Sequence, residues 1–220
     1  KIPYFDSTSR LVRVFTNNLY FRGLGIRDNY VISSADYEIT ASYLTTGDSF
    51  VKGNSALGFG IVGMLSYLNP SIDFYNNGVG ATGYVDPGFG LNIPDRLVAD
   101  IAVFSDVVFD GILCFAGFND AVSDIDLLET GLSEVKTIAD SLGLQLAIAT
   151  SWPLDYASQN SPTQNNLDAS VEIITSFVRA NRTVRFLGYA NKILFETTDG
   201  THPTFFGAWE IALYFNKSFN

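Results

Sequence analysis

Cysteine, histidine and methionine each occur once in the 220 residues. A lone Cys114 excludes an intrachain disulfide framework. Cys114 and His202 together cannot supply a zinc site of nitrogen and sulfur ligands, which leaves only an all-oxygen calcium site conceivable. Basic residues are scarce: 13 Lys and Arg stand against 23 Asp and Glu, a net charge of −10. That balance withholds the phosphate-neutralising charge that nucleic-acid binding requires, so nucleic acid and anionic membranes are poor partners. No uninterrupted apolar run reaches the length of about 18 residues that spans a bilayer, and the first residues lack the apolar core of a signal peptide. A soluble chain is expected. It begins with Lys1 rather than Met, which points to a processed product or a domain of something longer.

Apolar material, by contrast, is plentiful. Hydrophobic residues make up 47% of the sequence and charged ones 16%, enough to build one compact core and too little charge for disorder. Residues 1–37 differ from the rest, with short aromatic or β-branched runs broken by Asn-Asn, Gly-Leu-Gly and Asp-Asn; they read as a β-rich arm or linker. From residue 38 to 220 short apolar runs alternate with helical periodicity, the signature of βα units on a mainly parallel sheet. Strands are expected at 39–45, 72–75, 111–116, 145–150 and 184–187. Helices are expected over 55–67, 128–142, 167–178 and 203–215, on both faces of the sheet. The expectation is an α/β fold of three layers with about five parallel strands.

Open sheets of this kind bind ligands beyond the carboxyl ends of their strands. Four polar blocks lie there. Gly47-Asp48-Ser49 puts a hydroxyl in a strand-to-helix turn, ahead of a helix whose dipole favours developing negative charge; it is equally ordinary turn and N-cap composition. Asn76 to Gly83 is a glycine-rich loop with exposed amides, or a plain flexible loop. Gly117-Phe118-Asn119-Asp120 offers a side-chain amide able to donate to an oxyanion, or simply turn residues. Asp199-Gly200-Thr201-His202 places a carboxylate three residues before the sole imidazole, the two parts a serine nucleophile needs as base and orienting group. Its plain reading is an Asx turn before a helix.

Taken together and in this order, the four blocks resemble those of the SGNH hydrolases, the broader form of the GDSL esterases and lipases, over residues 40–215. The resemblance implies a flavodoxin-like fold and a serine esterase with no metal or organic cofactor. Ser49 would be the nucleophile, His202 the base and Asp199 its partner. The Ser49 amide, the Gly80 or Ala81 amide and the Asn119 side chain would form the oxyanion hole. Two departures stand out: Phe50 replaces a common Leu, and Ala81 falls where the family loop carries its oxyanion glycine.

For substrate, aromatic residues at the expected rim, Tyr75, Tyr84, Phe89, Trp152 and Tyr156, suit stacking on sugar rings, and Asp48, Tyr84 and Trp152 are expected to reach substrate. The reading favoured is O-deacetylation of a polysaccharide by a domain of an extracellular or phage-tail adhesion protein, with a homo-oligomer in that setting. The alternatives are a lipase or thioesterase on small acyl esters and a non-catalytic glycan-binding domain. Gly58-Phe59-Gly60-Ile61-Val62-Gly63 matches a dinucleotide fingerprint as letters only, since it sits within an apolar helix and lacks the acidic residue about 20 positions on. Cys114, within a strand, reads as a small buried residue.

Overall fold

The computed structural model describes residues 38–53, 60–88, 90–123, 125–152, 163–197 and 201–219. The arm expected over 1–37 lies outside them. Five strands form one parallel sheet: β1 (Ala41–Gly47), β2 (Ile72–Gly78), β3 (Gly111–Phe115), β4 (Gln145–Ala149) and β5 (Arg185–Gly188). Their spatial order is β2-β1-β3-β4-β5, the flavodoxin-like winding, whose topological switch point lies between β1 and β3.

Two cores sandwich this sheet. Alternate residues of β3 and β4 point to opposite faces, as the two-residue period of a strand demands: Leu113, Phe115, Ala147 and Ala149 go to one core, Ile112, Cys114, Leu146 and Ile148 to the other. The first core is closed by α1 (Ser49–Lys52), α2 (Gly60–Leu68) and α7 (Phe205–Asn216), the second by α3 (Ile93–Val103) and α5 (Leu128–Ser141). The long α6 (Gln164–Ala180) gives Leu167 to the first and Ile174 and Phe177 to the second. A single turn, α4 (Asp120–Ser123), follows β3. Cys114 is fully buried, and burial pushes its thiol up to about 12.

Three sequence expectations shift. β1 starts two residues later than expected and continues through Thr46 and Gly47, which pair with Asn77 and Gly78 on one side and with Cys114 and Phe115 on the other. For the same reason β2 runs on through Asn76-Asn77-Gly78, so the glycine-rich loop begins at Val79. The helix α3 was not anticipated at all, although Asn92 caps it by accepting from Asp95 N at 2.9 Å, Pro94 sits in its first turn, and Ile93, Leu97 and Ile101 repeat every four residues.

Candidate active site

The carboxyl ends of β1, β2 and β3 carry the residues of interest, and the loop geometry follows from close backbone approach. A Cβ on Gly47 would lie 2.2 Å from the Phe115 carbonyl oxygen, so only glycine lets β1 turn here against β3. Asp48 follows as the N-cap of α1, its carboxylate accepting from Phe50 N at 3.0 Å. Ser49 is therefore the first residue of α1 and half-buried. The expected helix behind it is one turn only, ended by Gly53 in the left-handed region at φ 79°. No extended helix dipole stands behind Ser49; its own backbone amide remains as a first-turn group with no intrahelical acceptor.

Across the crevice, 153 positions away in sequence, His202 Nε2 lies 2.8 Å from Ser49 Oγ. The imidazole is carried on the segment leading into α7. An isolated antiparallel bridge joins Thr197 to Pro203, and Thr204 N donates to Glu196 O at 2.9 Å. Thr204 then caps α7 by accepting from Gly207 N at 3.1 Å. Asp199 lies outside the described residues.

The loop after β2 forms the facing wall. Val79 N donates to Gly47 O at 3.0 Å, which ties the loop to the turn that carries Ser49. Ala81 has φ 61°, the only non-glycine residue at positive φ among the described residues. An L-residue normally avoids this region and glycine enters it freely, so Ala81 has a backbone shape suited to glycine. The amides of Gly80 and Ala81 donate to no acceptor among the described residues. Asn119, after β3, donates from Nδ2 to Thr82 O at 2.9 Å, and the amide has a second hydrogen to give. Ser49, Ala81, Asn119 and His202 are all partly open to solvent, whereas Gly80 is buried.

Asp120, the residue after Asn119, holds the far end of the loop. Its buried carboxyl accepts from three successive amides, Tyr84 N at 3.0 Å, Val85 N at 2.7 Å and Asp86 N at 3.0 Å. Gly83 makes room for it, because a Cβ there would fall 2.3 Å from both carboxyl oxygens. Burial raises the Asp120 pKa despite those three donors. The near end of the loop is tied by Arg96 on α3, a residue the sequence reading missed together with its helix.

The substrate contacts expected of Asp48, Tyr84 and Trp152 do not survive the structure. All three side chains are fully buried. Trp152 stacks on Phe50 at a centroid distance of 4.7 Å, and Phe50 lies 5.6 Å from the His202 ring, so the indole packs beneath the turn that carries Ser49. Tyr84 belongs to the second core. Asp48 is an N-cap under Ser49. Burial pushes its carboxyl up to about 8, with the Phe50 amide and Trp152 opposing that rise and Asp120 adding to it. Tyr75, also expected at the rim, packs edge-on against Phe104 and Phe109. Phe89 and Tyr156 lie outside the described residues.

No protein-family model and no curated protein matches the sequence. Solved structures do match in fold. An aryl esterase from M. smegmatis superposes with a TM-score of 0.68 at 15% identity, covering 82% of this chain and 98% of its own. A carbohydrate acetylesterase from Sinorhizobium meliloti gives a TM-score of 0.64 at 16% identity, over 82% of this chain and 98% of its own. A GDSL-like lipase from Bacteroides thetaiotaomicron gives 0.59 at 14% identity, over 81% and 87%.

The fold is that of the GDSL-type SGNH hydrolases. Within that SGNH fold the first, second and third sequence blocks stand at the ends of β1, β2 and β3, and His202 of the fourth reaches the first.

Proposed function

We propose that the chain is a serine esterase that hydrolyses acyl esters through Ser49, His202 and Asp199, and that its substrate is an O-acetylated polysaccharide. The observation that carries the reading is the 2.8 Å contact between Ser49 Oγ and His202 Nε2, at a strand end flanked by amides without acceptors among the described residues. Such a pair is what a hydroxyl needs to become a nucleophile near neutral pH.

The chemistry follows from the residues. His202 Nε2 takes the Ser49 proton as Oγ attacks the ester carbonyl, and Asp199 steadies the imidazolium. Negative charge develops on the former carbonyl oxygen, where the Ser49 amide, the Ala81 amide and the second hydrogen of Asn119 Nδ2 donate to it. The φ of Ala81 favours it over Gly80 as the loop donor. His202 then gives its proton to the departing alcohol, leaving an acyl-Ser49 ester. Water, deprotonated by His202, hydrolyses that ester and restores the enzyme. Acetyl as the acyl group and a sugar as the alcohol are supported by the likeness in fold to a carbohydrate acetylesterase.

The test is the intact mass after treatment with a fluorophosphonate, beside p-nitrophenyl acetate hydrolysis and acetate release from acetylated xylan. One adduct on the wild type, none on Ser49→Ala, and loss of both hydrolyses in that variant are expected. A wild type with no adduct and no turnover between pH 6 and 9 would overturn the esterase. Turnover of the small ester with no acetate released from acetylated polymers would overturn the polysaccharide substrate alone.

A further inference from the structure

We infer that Arg96 is a positioning residue for this site: one buried guanidinium sets the spacing between the nucleophile turn and the amide-bearing loop. The inference rests on the esterase reading for its kinetic consequence and on the geometry alone for its structural one. Among the described residues Arg96 is the one buried cation, in a chain of net charge −10. It stands on the exposed side of neither core but at the carboxyl ends of two strands.

Each branch of its fork has a separate task. Nη2 donates to Thr46 Oγ1 at 2.9 Å and to Gly47 O at 3.3 Å, at the last two residues of β1. Nη1 donates to Asn77 O at 3.0 Å in β2 and pairs with Asp100 one turn further along α3. Asp48 and Ser49 leave β1 directly after Gly47; Val79, Gly80 and Ala81 leave β2 directly after Gly78. The guanidinium therefore grips both chains at the point where they part to form the two walls of the site. A planar, fixed fork can hold two carbonyls at a set separation; a lysine ammonium on a flexible stem cannot.

The grip at this end complements the one at the other. Asp120 binds the amides of residues 84–86, and Asn119 binds Thr82 O at 2.9 Å. The span carrying the Gly80 and Ala81 amides is thus held between a buried cation upstream and a buried carboxyl downstream. Loss of the upstream hold leaves Gly47 O still accepting from Val79 N at 3.0 Å, so the strands stay paired and the loop gains freedom. A displacement of about 1 Å in a reacting geometry is enough to cost on the order of 100-fold in rate.

The experiment uses Arg96→Met and Arg96→Lys with two readouts. The first is kcat and KM on p-nitrophenyl acetate: kcat falls by roughly 10-fold to 100-fold in Arg96→Met, KM stays within about twofold, and Arg96→Lys recovers only a minor part of the loss. The second is amide hydrogen exchange, independent of any activity: residues 47–50 and 79–82 exchange at least about tenfold faster in Arg96→Met, while α5 and α6 keep their protection. If the wild type hydrolyses no ester, the esterase reading fails and the exchange pattern still decides the positioning role. Should Arg96→Met not fold, Arg96→Lys decides by the same local pattern. Unchanged kcat with unchanged exchange at 79–82, or a uniform loss of protection across the molecule, would overturn the inference.

Discussion

The indole of Trp152 lies flat against the ring of Phe50, the residue after Ser49, with 4.7 Å between centroids and 11° between planes. The same indole faces Phe115 at 6.1 Å and 13°, so a three-ring stack supports Ser49 from below. Phe50, which stands where the GDSL motif that this sequence resembles commonly has Leu, has its larger ring matched by the stack. Trp152→Ala is expected to cost about 3–5 kcal/mol of stability, as large-to-small changes of buried aromatics do. Urea unfolding measures it. Trp152→Phe should retain most of the stability and leave KM for an acetylated polymer unchanged; a KM that rises tenfold in the Phe variant would restore Trp152 as a substrate contact.

Asp48 gives stability a pH dependence of unusual sign for a carboxylate. Its folded pKa is raised to about 8 by burial, whereas an unfolded Asp titrates near 3.9. Between these values the folded chain holds a proton that the unfolded chain has released, so this group's contribution is full below about pH 4 and is lost as pH rises to about 8. Asp48→Asn keeps an N-cap of equal quality and stays neutral. Urea midpoints at pH 5, 7 and 9 should show the wild type losing ground to Asp48→Asn from pH 5 to 9. An equal gap at all three would mean that the carboxyl is not neutral in the fold.

Much of this architecture is legible in the sequence, and the misses share a cause. The strands Gly111–Phe115 and Gln145–Ala149, buried except for Gln145, declare themselves because central strands are apolar on both faces. Thr46, Asn77 and Gly78 hide the ends of β1 and β2, since their polar or absent side chains give no strand signal while their backbones pair in register. The helix α3 hides behind only three core-facing residues and an unremarked Asn92 cap. With it goes Arg96, whose role depends on three carbonyl and hydroxyl oxygens from distant positions. The rim placement of Tyr75, Tyr84 and Trp152 fails for a related reason: a Trp or Tyr near a strand end fits a core as well as a sugar, and burial decides between them.

The backbone at Ala81 is strained, and glycine should relieve it. An L-residue in the left-handed region carries a penalty of about 1–2 kcal/mol, against about 0.5–1 kcal/mol for the extra freedom glycine brings to the unfolded chain. Ala81→Gly is expected to gain up to about 1 kcal/mol and to leave turnover within about twofold, because the backbone amide is unchanged. Ala81→Val should lose stability instead. Thermal unfolding of the pair decides, and equal midpoints for Gly and Val would remove the strain from this account.

Asn119 separates the oxyanion reading from a purely structural one. One of its amide hydrogens is already committed to Thr82 O at 2.9 Å. The tie it makes is a single hydrogen bond, worth about 1 kcal/mol of stability. The second hydrogen is what would meet the oxygen that becomes negative only in the transition state, and removing one such donor costs about 100-fold to 1,000-fold in turnover. Asn119→Ala should therefore lose kcat on that scale with a small stability change and with KM within about threefold, since the donor acts on the transition state more than on bound ester. A kcat loss below about threefold, measured on p-nitrophenyl acetate with the fold verified by its unfolding midpoint, would confine Asn119 to holding the loop.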